Sequence, residues 1–281
     1  MSSAESHHAS VLRDVHESAK LLPYIREVWA RRSYVAYVAS SELRRRQVND
    51  VLGNLWHLLN PLLQIGVYFI IFGLLLDVGD RSSNNFILFL TVGLFIFQFT
   101  QRSTVDGAKS IVTNLSLIKA LKFPRVILPM TSTATEAAAF WSSLVVIYSV
   151  GLLTDGFRWQ WFLLPLLVSV QMVFNLGCAM IAARMTTHFR DTIQILPFFF
   201  RLLLYASGVI FSVDAYANGS GAIELLFTLN PMYSFVTVAR WIVFGSATEP
   251  AHVASIAAWT ILTFMLGFVW FRAGEERYAR G

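Results

Sequence analysis

Residues 159–183 read WQWFLLPLLVSVQMVFNLGCAMIAA, a run without one Asp, Glu, Lys or Arg. At about 1.5 Å per residue this run makes a helix of roughly 37 Å, enough to cross a hydrocarbon layer of about 30 Å. Hydrocarbon offers no hydrogen bonds, so every backbone N–H and C=O must be paired within the segment, and the run must be a helix. Working outward, five more runs of spanning or near-spanning length appear: Leu58–Leu76, Phe86–Thr100, Ile127–Leu153, Thr192–Ser212 and Val253–Phe271. The run at Phe86–Thr100 is short and extends toward Val105. The alternating strands of about ten residues that mark a membrane barrel are absent. Composition agrees: 56% of the 281 residues are hydrophobic and 14% are charged, with mean hydropathy +0.57. An average soluble domain carries about 25% charged residues. The expected fold class is an all-α integral membrane protein with six transmembrane helices.

Charge placement sets the expected orientation. Eight Lys/Arg precede the first run, five lie in 101–126, two in 184–191 and three after residue 271. The loops on the other side hold only Arg81, Arg158 and Arg240. Basic residues stay on the cytoplasmic side, so both termini are expected there. The net charge of +5 is accounted for by this asymmetry and not by nucleic-acid binding. No short apolar stretch with a cleavage site opens the sequence, so the first span is expected to act as the insertion signal. The single cysteine, Cys178, excludes a disulfide within the chain.

Three segments exceed a plain bundle. Residues 1–23 are a polar tail, and 24–46 read as one amphipathic helix within a cytoplasmic region 24–57. Ile25, Val28, Trp29, Ala36, Ala39 and Leu43 form its apolar stripe. Arg26, Glu27, Arg31, Arg44 and Arg45 lie largely elsewhere, while Arg32 and Arg46 intrude on the stripe. A basic amphipathic helix of this kind lies on the inner membrane surface or packs on a cytosolic partner. Residues 101–126 carry Ile111, Val112, Leu115 and Ile118 at helical spacing, an apolar edge for docking a partner or a solvated connector. Residues 213–252 hold two apolar patches, Ala222–Leu229 and Tyr233–Gly245, separated by the helix-breaking Asn230-Pro231. Both patches are too short to span, so short re-entrant helices before the last span are expected. The spanning domain is 58–271, and 272–281 is a cytoplasmic tail.

Energy-converting and catalytic motifs do not appear. No G-x-x-x-x-G-K-[ST] or G-x-S-x-G is present, and no two histidines have metal-like spacing. Asp77 and Asp80 form a D-x-x-D with no second acidic cluster opposite it. Glu136 and Arg201 lie at similar depth within spans, where a lone charge costs about 2.5–3.5 kcal/mol or more. An ion pair between them, a shared wet interior, or snorkelling of Arg201 to the headgroups would each relieve that cost. Gln64, Gln98, Gln171 and Asn175 either bond between helices or line a polar conduit.

Several stretches resemble one family, the membrane permeases of ABC-2 type ATP-driven exporters, especially the polysaccharide export group that moves O-antigen and teichoic acid. The first stretch is Glu42-Leu-Arg-Arg-Arg-Gln47 followed by Leu52-Gly53, Trp56, Pro61, Tyr68 and Phe72. The most specific is SIVTNLSLIKALKFPRVILP at 110–129, matching at Ser110, Ile111, Asn114, Leu117, Ile118, Phe123, Pro124, Arg125, Leu128 and Pro129. Phe189-Arg190-Asp191 and Asn230-Pro231-Met232 with Arg240 and Gly245 complete the set. The sequence departs from the pattern at Lys119/Lys122 and at Phe97-Gln98-Phe99.

The resemblance implies a homodimer in the bacterial inner membrane, bound to two copies of a separate nucleotide-binding ATPase. That partner would hold ATP and magnesium, so this chain would need no cofactor and would not itself be an enzyme. Val105, Lys109, Ile111, Val112, Leu115 and Ile118 would carry the coupling helix. Trp29, Arg32, Arg44, Arg45 and Arg46 would mark the interface helix, and 213–245 the outer gate. The cargo would be a lipid-linked glycan, and the resemblance together with an Ala/Val/Arg-rich composition points to an actinobacterial cell-wall galactan. Sugar rings stack on aromatic faces, which makes Tyr68, Phe95, Phe97, Phe99 and Trp241 candidates for lining a conduit. Each is equally a candidate for core or lipid contact. Alternatives are the same architecture exporting a small hydrophobic drug or lipid, an integral membrane glycosyl- or acyltransferase, and a secondary transporter.

Overall fold

The computed structural model describes residues 21–45, 55–75, 85–154, 156–211, 227–245, 249–275 and 278. The expectations for Arg46, Asp77, Asp80 and residues 222–226 lie outside them. The described residues are helical. In chain order the helices are α1 (Leu21–Ala30), α2 (Arg32–Arg45), α3 (Leu55–Tyr68), α4 (Phe86–Thr113), α5 (Leu115–Ala120), α6 (Ile127–Thr154), α7 (Leu164–His188), α8 (Thr192–Tyr205), α9 (Pro231–Phe244) and α10 (Pro250–Ala273). A π-helical stretch, Phe69–Leu75, extends α3, and a 3-10 turn, Trp159–Leu163, leads into α7. Four helical stretches are long and apolar enough to cross a membrane: Phe86–Thr113, Ile127–Thr154, Trp159–His188 and Pro250–Ala273.

Helix α4 is the axis of the fold. In its most apolar window 83% of residues are buried, against 28% in α6 and 22% in α10, so α4 is surrounded by protein while the other two leave most of their apolar surface outside the bundle. It contacts α3, α6, α7, α8 and α9. Phe86, Leu88, Leu90, Leu94, Ile96 and Phe97 anchor the main core, joined by Ile147 of α6, Phe174 of α7 and Phe235 of α9. Helices α7 and α10 meet closely: a Cβ on Gly177 would overlap the Thr263 backbone, and one on Gly267 would overlap Gly177. Small residues let backbones approach where lipid supplies no hydrophobic drive.

The structure sharpens several expectations. The helix of the second span runs on without a break past Val105 to Thr113. Ser103, Thr104, Gly107 and Ala108 on that stretch are buried against neighbouring helices. The amphipathic stretch 24–46 is two helices, broken at Arg31. Its protein-facing residues are Tyr24, Val35 and Ala39, while Leu22, Ile25 and Trp29 are exposed. Asn230-Pro231 opens α9, and Phe227 and Thr228 just before it are also helical: the Asn230 side chain accepts from the Met232 N–H at 3.0 Å, and Pro231 takes the first turn. Helix α8 is only 14 residues, about 21 Å, and gives way to a turn through Gly208 before Phe211.

Candidate functional site

At 28 residues α4 is about 42 Å long, some 12 Å more than the hydrocarbon needs, so one end of it stands clear of the membrane. That end is the basic one. The helix stops at Asn114, whose side-chain Nδ2 turns back to donate to the Ser110 carbonyl at 2.8 Å. An amide that competes for backbone acceptors in this way ends a helix. The chain then bends into α5 and continues through Phe123-Pro124-Arg125 into α6.

A second apolar cluster binds this elbow to the rest of the molecule. Ile111, Ile118, Val126 and Leu128 pack with Tyr24 of α1, Met180 and Ala183 of α7, and Phe271 and Tyr278 at the C-terminal end. The Arg125 backbone N–H donates to Glu275 Oε1 at 2.6 Å, and the Tyr278 hydroxyl donates to the Phe271 carbonyl at 2.9 Å. Arg184, at the end of α7, lies 5.4 Å over the Tyr278 ring, and its guanidinium occupies the space that a Cβ on Gly274 would need. Burial raises the Glu275 carboxyl above its ordinary value, although the Arg125 N–H opposes the shift. Burial likewise lifts the Tyr278 hydroxyl to about 12, and it raises the Tyr24 hydroxyl further, helped by the neighbouring Glu275 charge.

This packing redistributes the residues expected to dock a partner. Ile111 and Ile118 are core, 1% and 4% exposed, so their side chains hold the elbow in place and do not form its outer surface. Val105, Val112 and Leu115 are half-buried, as is Lys109, whose Nζ lies 3.9 Å from Asp106. The exposed positions of the elbow are Thr113, Ser116, Lys119, Ala120, Leu121 and Lys122. Helical spacing alone identified an apolar edge but not which way it turned. On α1 and α2, Trp29, Arg32, Arg44 and Arg45 are exposed. Arg32 lies 5.4 Å over the Trp29 ring, and Arg45 makes a two-pronged contact with Glu42 at 2.9 and 3.0 Å.

Inside the bundle, the amides expected in spans bond between helices. Gln171 donates to the Ile96 carbonyl at 2.7 Å and to Thr100 Oγ1 at 3.0 Å, Thr100 donates to Asn175 Oδ1 at 2.6 Å, and Asn175 reaches Ser103 at 3.5 Å. Gln98 lies apart from this seam. It joins Gln64 at 2.7 Å and Arg102 at 3.0 Å. Of the candidate aromatics, Phe95 and Phe99 line a small recess with Gln98, Arg102, Glu136, Ser142 and Ser143. Phe97 points elsewhere, edge-on to Phe200 at 6.0 Å, and is core. Tyr68 and Trp241 are half-buried against the main core. Glu136 is buried and lines that recess, whereas Arg201 is exposed on α8 and does not line it.

The far end holds what charge counting overlooked. Arg240, tallied as a loop cation, is 9% exposed in α9. Its guanidinium donates to the carbonyls of Gly208 (2.8 Å), Val209 (2.7 Å) and Phe89 (3.3 Å), and its carbon lies 3.3 Å from the centre of the Phe89 ring. A Cβ on Gly93 would come within 2.7 Å of Nη2, so Gly93 makes room for it. One side chain thus satisfies the turn that ends α8 and pins α9 to α4. Trp161 adds a second tie, its indole N–H donating to the Val243 carbonyl at 3.1 Å.

Among the described residues no three His, Cys, Asp or Glu are grouped to hold a metal. A family model described as ABC-2 type transporter matches residues 35–244. The chain is 27% identical over 261 residues to the O-antigen export system permease protein RfbA of Myxococcus xanthus, covering 92% of this chain and 99% of that protein. It is 25% identical over 245 residues to the O-antigen export system permease protein RfbA of Klebsiella pneumoniae, covering 86% of this chain and 92% of that one.

Two outcomes follow from the geometry at the two ends. Arg240→Ala leaves the buried Gly208 and Val209 carbonyls without this donor, while the Phe89 carbonyl keeps its bond within α4, and is expected to cost about 2 kcal/mol or more, with Arg240→Lys losing less. Thermal unfolding of the purified protein reads this, and equal midpoints for native and Arg240→Ala would contradict it. Because the folded Glu275 carboxyl lies above its ordinary 4.5, its contribution to stability is full below about pH 4.5 and is lost as pH rises through the folded value. Glu275→Gln is therefore expected to be at least as stable as the native protein at pH 7, with the difference closing toward pH 4. A lower unfolding temperature for the variant at pH 7 would contradict this.

Proposed function

The chain belongs to the ABC-2 type transporter family, and we propose that it is the permease subunit of an exporter carrying a lipid-linked polysaccharide across the bacterial inner membrane. Full-length similarity to O-antigen export permeases is the observation that carries the cargo class. The chain is a multi-pass membrane transport permease and not an enzyme. Hydrolysis of ATP, with its magnesium, belongs to a nucleotide-binding partner. In the proposed assembly two copies of the chain pair, and each engages one ATPase. Five described helices of one chain pack on α4 and leave little space for a hydrated glycan, whereas a two-fold axis between copies supplies a conduit.

Six crossings are counted by adding the α3 stretch and α8 to the four long helices. Both termini are placed in the cytoplasm by the positive charge at that end. Helix α9 forms part of the outer gate, held by Arg240. On the cytoplasmic side the ATPase meets the exposed face of the elbow, Ser116, Lys119 and Leu121, and the surface of α1 and α2. Closure of the ATPase on ATP pushes this face, and the buried cluster behind it passes the displacement to α4, α7 and α10.

The test is the double variant Lys119→Glu/Leu121→Asp, co-expressed with the ATPase partner. Both positions are exposed, so membrane insertion should be unaffected. Surface glycan should fall at least about tenfold, as expected for loss of roughly 1.4 kcal/mol or more at a coupling contact, while lipid-linked glycan accumulates inside. Undiminished surface glycan would remove the elbow from the coupling path.

A further inference from the structure

Where α6 ends and α7 begins, at the end of both helices remote from the elbow, aromatic rings enclose a recess of about 410 Å³. Tyr148, Leu152, Phe157, Trp161, Phe162 and Pro165 line it. That volume falls within the range of small-ligand cavities.

The walls of this recess are held open from behind. Trp161 forms its back and is buried, while Leu152, Phe157 and Phe162 at the rim are exposed. Tyr148 stacks on Trp161 with 5.4 Å between ring centres, and Phe157 meets it edge-on at 5.7 Å. The Tyr148 hydroxyl donates to the Trp161 carbonyl at 3.0 Å, and the Trp161 indole N–H is held by the Val243 carbonyl of α9. A Cβ on Gly151 would come within 2.8 Å of the indole, so α6 makes room for it. A tryptophan fixed in this way cannot swing forward to fill the space before it. An unfilled void forfeits dispersion contacts along its whole lining.

Chemistry narrows the occupant. The Tyr148 hydroxyl and the Trp161 N–H are the only side-chain donors in the lining, and both are spent inside the protein. A sugar ring would find aromatic faces there but no donor for its hydroxyls, and burying them unpaired is costly. A charged group would find no counter-charge in the lining. What remains is apolar contact alone. The recess opens beside α6, which leaves most of its apolar surface outside the bundle, and around a spanning bundle that place belongs to lipid. Tyr and Trp favour the level where hydrocarbon meets the interface, which is where acyl chains begin. Phospholipid is in large excess over any other apolar chain in the membrane, and occupancy follows concentration.

We propose that this recess is a binding site for one acyl chain of a phospholipid, whose methylenes lie against the Trp161 and Tyr148 rings between the ends of α6 and α7. Because Trp161 also holds Val243, the bound chain backs the tie on α9. Placing the site in the outer leaflet, and the tie at a gate, rests on the reading under Proposed function; the site itself does not.

The experiment uses the permease with its ATPase partner in phosphatidylcholine nanodiscs, a fraction of the lipid carrying a diazirine on an acyl chain. Irradiation and peptide mass spectrometry then locate the label. It should reach the wall, at Tyr148 and Trp161, as well as the rim, at Leu152 and Phe162. Leu152→Trp fills the recess from an exposed position. It should lose the label on Tyr148 and Trp161 and keep that on Val253, an exposed residue near the start of α10 at the same end of the bundle. The native complex decides the matter even if this variant fails to fold. Label confined to the rim would mean that lipid only brushes the surface, and would overturn the site. Absence of label from both rim and wall, as a second copy seated there would give, would equally overturn it. Displacement of the wall label by an equal amount of polyprenyl phosphate would overturn phospholipid as the occupant. No readout here involves transport, so the site and the export reading stand or fall separately.

Discussion

Between α4 and α7 the polar side chains have only one another. Gln171, Thr100 and Asn175 are 0–2% exposed, and each finds its partner on the facing helix or on the Ile96 carbonyl. In a medium without water, sliding either helix by one residue would strand several of these groups together, so the seam sets a single register. The other helices are arranged around that pair. α6, α8, α9 and α3 pack on α4, and α10 packs on α7 through its glycines.

A fixed axis that reaches beyond the membrane is also a lever. Asn114 bends the chain at its basic end, and Ile111 and Ile118 tie the bend to Met180 and Phe271. Force applied to α5 therefore reaches two long helices through packed side chains, with no flexible loop between. At the opposite end Arg240 holds α9 against the same axis through three carbonyls. The elbow and the Arg240 tie thus sit at opposite ends of one element. This suits a permease that performs no chemistry and relies on a partner for energy.

Much of this was readable in the sequence, and the failures have physical causes. Apolar runs and charge asymmetry located the helices because hydrocarbon excludes charges and unpaired backbone so strongly. Hydropathy carried the second span toward Val105 and spacing marked a helical edge beyond it, but nothing in Gln101, Arg102, Ser103 and Thr104 showed that the two are one unbroken helix. In the fold they continue the helix, and the two hydroxyls are buried. Periodicity marked Ile111 and Ile118 as one apolar edge but could not say whether a partner or the chain itself covered it. Arg240 was read as a loop cation because no sequence pattern reveals that three carbonyls await it; those carbonyls come from the turn ending α8 and from α4, far away in the chain. The break at Arg31 carries no proline or glycine to announce it.

The central claim is that this chain is a passage without its own motor. It is tested most directly by reconstituting the purified permease in liposomes, with and without its ATPase partner, and following ATP hydrolysis together with transfer of a lipid-linked glycan across the bilayer. Hydrolysis-dependent transfer should require the pair, and the permease alone should show neither activity. Hydrolysis or ATP-driven transfer by the permease alone would contradict the account.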